Sequence, residues 1–98
     1  MAIETRPFDP AEYLDTPEGI EAYLEDAFAC GDPAEITDAL GVVARAIGMS
    51  QLADRTGLSR PALYRALSRE GNPEFATIMK VANALGFRLT AHRILEDA

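Results

Sequence analysis

The chain has 98 residues, a single cysteine and hydrophobic side chains at 48% of its positions, enough to build one core, and no internal disulfide framework is possible. No apolar run reaches the roughly 18 residues of a membrane span and no signal-peptide pattern is present, so a reducing cytoplasm is the expected location. The net charge of −7 weighs against nucleic acid as a partner, because phosphate binding rests on Lys and Arg displacing counterions. The charge is nevertheless divided: residues 1–44 hold eleven acids and one base (Arg6), a balance of −10, and residues 45–98 hold five acids and eight bases, a balance of +3. Such a split suits one face for a polyanion and another for a basic partner, and an acidic, solvated helix surface gives the same count.

Residues 1–15 contain two prolines and no helical period, which predicts an extended arm whose Phe8, Tyr13 and Leu14 tack onto the core. The remainder, 16–98, reads as a single helical domain. Thr16, Pro17 and Glu18 supply a cap, a first-turn proline and an acid, and Ile20, Tyr23, Leu24, Ala27 and Phe28 follow at helical spacing, predicting a helix over about 17–29. Cys30 at its end is expected to be a small buried thiol without chemistry. Asp32 and Pro33 repeat the start signal, and Ile36, Leu40, Val43 and Ile47 mark a second helix running to about Ala46. Two short helices follow, 50–56 and 60–68, joined at Gly57-Leu58-Ser59. After a loop at Glu70-Gly71-Asn72-Pro73, the residues Phe75, Ile78, Val81, Ala82 and Leu85 predict a fifth helix closed by Gly86. Phe87, Leu89 and Ala91 then alternate with Arg88, Thr90 and His92, which predicts a short C-terminal strand pairing with the arm or with a second chain.

The segment 49–69 carries the functional signal, because its small, glycine and apolar positions agree with a helix-turn-helix. Leu52 points inward, Ala53 leaves room for the crossing helix, Gly57 can take the left-handed turn conformation and Leu58 anchors the turn. Ser59 caps the next helix, and Leu63, Ala66 and Leu67 hold it against the core. Arg60, Pro61, Tyr64, Arg65 and Ser68 are left outward. Arginine reads guanine through a bidentate bond to O6 and N7, and tyrosine offers a hydroxyl and a flat apolar face, so Arg60, Tyr64 and Arg65 are the candidate base contacts in the major groove. Ser59, Ser68, Arg69 and Asn72 are candidates for the DNA backbone, with loop capping or plain solvation as the other reading for Arg69 and Asn72.

At these positions the chain resembles a known family. Ala53, Gly57, Leu58, Ser59 and Leu63, with Asn72-Pro73 and Ala84-Leu85-Gly86 downstream, are similar to the phage-repressor-like (Cro/C1 or XRE type) helix-turn-helix. Phe8-Asp9-Pro10-Ala11-Glu12-Tyr13-Leu14, Asp32-Pro33, 48–53, 62–68 and Gly71-Asn72-Pro73 resemble, in order and spacing, the HigA-like antidote proteins of toxin–antitoxin addiction modules. The resemblance covers nearly the whole chain. It implies an all-α, five-helix, dimeric DNA-binding antitoxin that neutralises a basic RelE/ParE-like (HigB-type) toxin ribonuclease and represses their shared operon. The chain departs from the phage-repressor pattern in having Met49 where a phosphate-contacting glutamine often stands, and that role does not pass to Gln51. Pro61 likewise shortens the reach at a position that often reads a base, leaving specificity to Arg60, Tyr64 and Arg65.

An enzyme is not expected, since one histidine, one cysteine and the absence of a Gly-rich phosphate loop or HExxH motif give no nucleophile–base pair or metal cluster. No cofactor or metal is expected either. The competing readings are a stand-alone phage-type repressor and a protein-interaction module with a vestigial helix-turn-helix, whose acidic half binds a basic partner without DNA.

Overall fold

The computed structural model describes residues 14–95. The arm expected over 1–15 lies outside the described residues except for its last two, and of these Leu14 is buried against the core as expected. Five helices follow in order: α1 Pro17–Cys30, α2 Pro33–Ile47, α3 Met49–Thr56, α4 Arg60–Ala66 and α5 Phe75–Ala84.

Local chemistry sets most of the boundaries. Thr16 is extended and its Oγ1 accepts from the Gly19 N–H at 3.0 Å, with Pro17 fixing the first φ of α1. Asp32 does the same for α2, its Oδ1 accepting from the Ala34 N–H at 3.0 Å ahead of Pro33. Helix α5 ends in a Schellman motif: Gly86 donates to the Asn83 carbonyl and Phe87 to that of Ala82, at 3.0 and 2.8 Å.

Helix α2 is the central element. Its Leu40, Val43 and Ala44 are almost wholly buried, and Leu52 of α3, Leu63 of α4, Leu67 just beyond it and Val81 of α5 close around them. Full burial of one such aliphatic side chain contributes about 1.5–3 kcal/mol relative to exposure. Two contacts bring α2 onto the end of α4. A Cβ placed on Gly41 would overlap the Leu67 carbonyl oxygen, so only glycine permits this approach. One turn earlier the buried Thr37 hydroxyl lies 3.1 Å from the Ala34 carbonyl and 3.0 Å from that of Ser68, 31 residues away in sequence.

Several expectations are corrected. The C-terminal strand does not form: among the described residues there is no strand, and 91–95 lie exposed, with Ile94 and Leu95 open to solvent. A period of two becomes a strand only with a partner ladder to accept its backbone hydrogen bonds, and no described segment supplies one. Cys30 is exposed rather than buried, its Sγ donating to the Ala27 carbonyl at 3.0 Å. Helix α4 stops at Ala66 instead of Ser68, and the apolar stripes of α1 and α5 each leave a ring outside the core, Phe28 and Phe75.

Candidate nucleic-acid interface

Helices α3 and α4 are joined by Gly57, Leu58 and Ser59. Gly57 has φ +77°, a left-handed conformation that costs a side-chain-bearing residue about 1–2 kcal/mol, and its N–H donates to the Ala53 carbonyl at 2.9 Å. Thr56 locks the same turn from within. Its hydroxyl donates to the Leu52 carbonyl at 2.8 Å and accepts from the Leu58 N–H at 3.2 Å. Ser59, extended at ψ 155°, then caps α4 by accepting from the Ala62 N–H at 3.2 Å.

The inner face of α4 is fixed by Leu63 and Leu67, at 0% and 3% exposure, with Ala66 half-buried beside them. At 3.6 residues per turn, Pro61 and Arg65 fall opposite Leu63 and Leu67 and Tyr64 lies to the side, whereas Arg60, seven residues before Leu67, lies over the inner stripe and is open to solvent as the first residue of the helix. All four are exposed. Among the described residues neither Arg60 nor Arg65 has an ion-pair or hydrogen-bond partner, so both guanidinium groups are available to an acceptor outside the chain. They stand roughly 7.5 Å apart along the axis and about 140° apart around it, with the half-exposed Tyr64 at an intermediate angle. The motif residues Leu52, Ala53 and Leu58 take the inward positions expected of them, Leu52 fully and the other two in part.

The residues expected to face the DNA backbone are in different states. The Ser59 Oγ is occupied by its cap, and the Ser68 Oγ donates to the Arg65 carbonyl at 3.0 Å, closing the end of α4. Arg69 pairs with Glu35 at 2.8 Å. The hydrogen bond and charge of Glu35 raise the Arg69 pKa above its ordinary value, and Asp38 and Asp32 add weaker attraction. Asn72 is exposed in the loop before α5 with φ +44°, a conformation asparagine tolerates better than most residues.

Sequence reasoning missed two long-range ties. Thr37 binds α2 to the end of α4, and the Arg55 Nη1 donates to the Ala84 carbonyl at 3.1 Å, fastening α3 to the end of α5. Both join residues about thirty positions apart to a backbone carbonyl, which leaves no local pattern. Among the described residues no three His, Cys, Asp or Glu side chains are grouped to hold a metal ion, and no helix is long and apolar enough to cross a membrane.

Over the described residues, fold and surface together define a helical protein without strands that presents a short helix with unpaired arginines beyond a glycine turn, in a chain whose first half is acidic. Residues 4–93 match the model of a family described as probable addiction module antidote protein, and the chain belongs to that family. It is also 46% identical over 88 residues to a Haemophilus influenzae protein described only as uncharacterized, the match covering 90% of this chain and 91% of that protein. No solved structure matches it.

Proposed function

We propose that the chain is a DNA-binding antitoxin of the HigA-like kind, non-enzymatic and cytoplasmic. On this reading residues 49–69 are a Cro/C1 (XRE) type helix-turn-helix, and α4 enters the major groove. The supporting observation is the exposed surface of α4: Arg60 at its start and Arg65 near its end unpaired, with Tyr64 exposed between them in sequence, on a helix whose inner side is anchored by Leu63 and Leu67. Each arginine can donate two parallel hydrogen bonds to guanine O6 and N7, and the Tyr64 ring packs on a base edge or sugar. Ser59, whose cap leaves its O–H free to donate, and Asn72 flank this face toward the phosphates, and Ser68 joins them only by turning its hydroxyl away from the Arg65 carbonyl. Arg69 reaches a phosphate with the donors that Glu35 leaves free, since a guanidinium carries five. A homodimer sets two copies of α4 about one helical turn apart, roughly 34 Å, on a palindromic operator. The acidic residues 1–44 attract a basic RelE/ParE-like (HigB-type) toxin, and the complex represses the operon that encodes both.

Two assays on the same protein test this. A mobility shift with the DNA just upstream of the gene should show salt-dependent binding that outcompetes random DNA, and co-expression with the basic product of the adjoining reading frame should restore growth. Restored growth without any shift would replace the proposal with an interaction module, and a shift without restored growth with a stand-alone repressor.

A further inference from the structure

The junction of α1 with α2 faces the loop between α4 and α5 across an open groove of about 580 Å³. Its walls are apolar. Phe28, Pro33 and Ile36 form one side, and Pro73, Phe75 and Ile78 the other. Phe75 is 71% exposed and Phe28 37%, although both belong to the apolar stripes of their helices. Large rings left outside the core on two facing elements are a common mark of an association surface. The rim is acidic: Asp32 and Glu70 line it, and Glu35 and Asp38 act on Arg69, the one base there.

We propose that this groove is the docking site for a basic protein partner, which inserts one or two apolar side chains between Phe28 and Phe75 and sets flanking Lys or Arg against Asp32 and Glu70. Charge decides among the occupants. Residues 1–13 bring three acids (Glu4, Asp9, Glu12) against Arg6, a second copy brings a chain of net charge −7 with the same rim, and nucleic acid brings phosphates. Asp32 and Glu70 repel all three and attract a cationic surface; Arg69 and Asn72, which also line the groove, can meet a phosphate passing α4, but the apolar walls between Phe28 and Phe75 offer it no donor. The proposal rests on the antitoxin reading in that a basic toxin is such a partner, and it moves the contact from the first half of the chain alone to a surface shared with α5.

The test uses the full, isotope-labelled protein and a synthetic amphipathic helical peptide with leucines at i, i+3, i+4 and i+7 and lysines elsewhere, alongside its glutamate counterpart. The lysine peptide should bind with chemical-shift changes centred on Phe28, Ile36 and Phe75, and Phe75→Ser should weaken it about tenfold, the scale of losing one anchor side chain. The glutamate peptide should not bind. The proposal is overturned if the lysine peptide fails to bind, perturbs a different surface, or binds Phe75→Ser equally well. It is also overturned if Phe8→Ser with Tyr13→Ser shifts the groove resonances without peptide, or if Phe75→Ser dissociates a dimer in sedimentation, since the occupant is then the chain itself or its copy. Growth rescue separates the two claims. Failure of the wild type to rescue removes the antitoxin reading and leaves the peptide result to decide the groove, whereas equal rescue by wild type and Phe75→Ser removes the groove alone.

Discussion

Replacing Gly41 by alanine separates local propensity from packing, because the two predict opposite signs. In an ordinary helix interior this change stabilises by roughly 0.5–1 kcal/mol, through lower backbone entropy in the unfolded chain. Here the new methyl would overlap the Leu67 carbonyl oxygen, with the carbonyl carbon 3.3 Å and the Arg45 Nη1 3.4 Å away. The obstacle is backbone, and it cannot swing aside because the Leu67 side chain is itself buried. Relief requires α2 and the end of α4 to part by on the order of an ångström. That costs about 1–3 kcal/mol of packing, with about 1 kcal/mol more from stretching the Thr37 to Ser68 hydrogen bond. The propensity gain offsets only part of this, leaving a net destabilisation of about 1–3 kcal/mol, or roughly 5–20 °C in Tm for a chain of this size. Urea titration followed by far-ultraviolet circular dichroism measures it. An unchanged or raised midpoint would show that α4 does not rest on α2 at this point.

Leu63→Ala empties a fully buried site beneath the reading face and should lower stability by about 2–5 kcal/mol in the same titration, with DNA binding lost in parallel as the helix loses its seat. Gly57→Ala should cost about 1–2 kcal/mol purely through backbone conformation, since nothing lies near its would-be Cβ; Gly57→Asn should recover part of that, and equal stability for both variants would contradict the turn. Arg69→Ala should leave the urea midpoint unchanged, its ion pair with Glu35 being about half exposed on both sides, while weakening operator and random DNA alike in a filter-binding assay. A loss confined to the operator would make Arg69 a base reader instead.

The sequence shows clearly those features that depend on neighbours in the chain. Thr16 before Pro17, Asp32 before Pro33 and Ser59 before the fourth helix cap as expected because a cap bonds only two or three residues ahead. Gly57 and Gly86 are legible as turns for the same reason. The outward positions of Tyr64 and Arg65 follow from the inward set Leu63 and Leu67 by helical geometry, while Arg60, which shares the angle of Leu67, is exposed because it opens the helix. What stays hidden depends on distant partners. The need for glycine at 41 arises only when Leu67 arrives, and a threonine in a helix gives no sign that a carbonyl 31 residues on will occupy it. Phe28 and Phe75 fit their helical stripes, yet periodicity cannot say whether a stripe is wider than the core that receives it. The alternation at 87–92 has the pattern of a strand, but a ladder needs a second segment, which pattern alone does not provide. The Arg69–Glu35 pair, joining basic and acidic halves, is likewise invisible to a charge count.

The claim on which the functional account depends is that the α4 arginines read bases rather than merely add positive charge. Fluorescence anisotropy of Arg65→Ala on the upstream DNA and on a scrambled duplex of equal length, at matched salt, tests it most directly. The account predicts a loss of about 1–3 kcal/mol on the upstream sequence, relaxed preference at one base pair and a several-fold smaller loss on the scrambled duplex. Equal losses on both duplexes would contradict it.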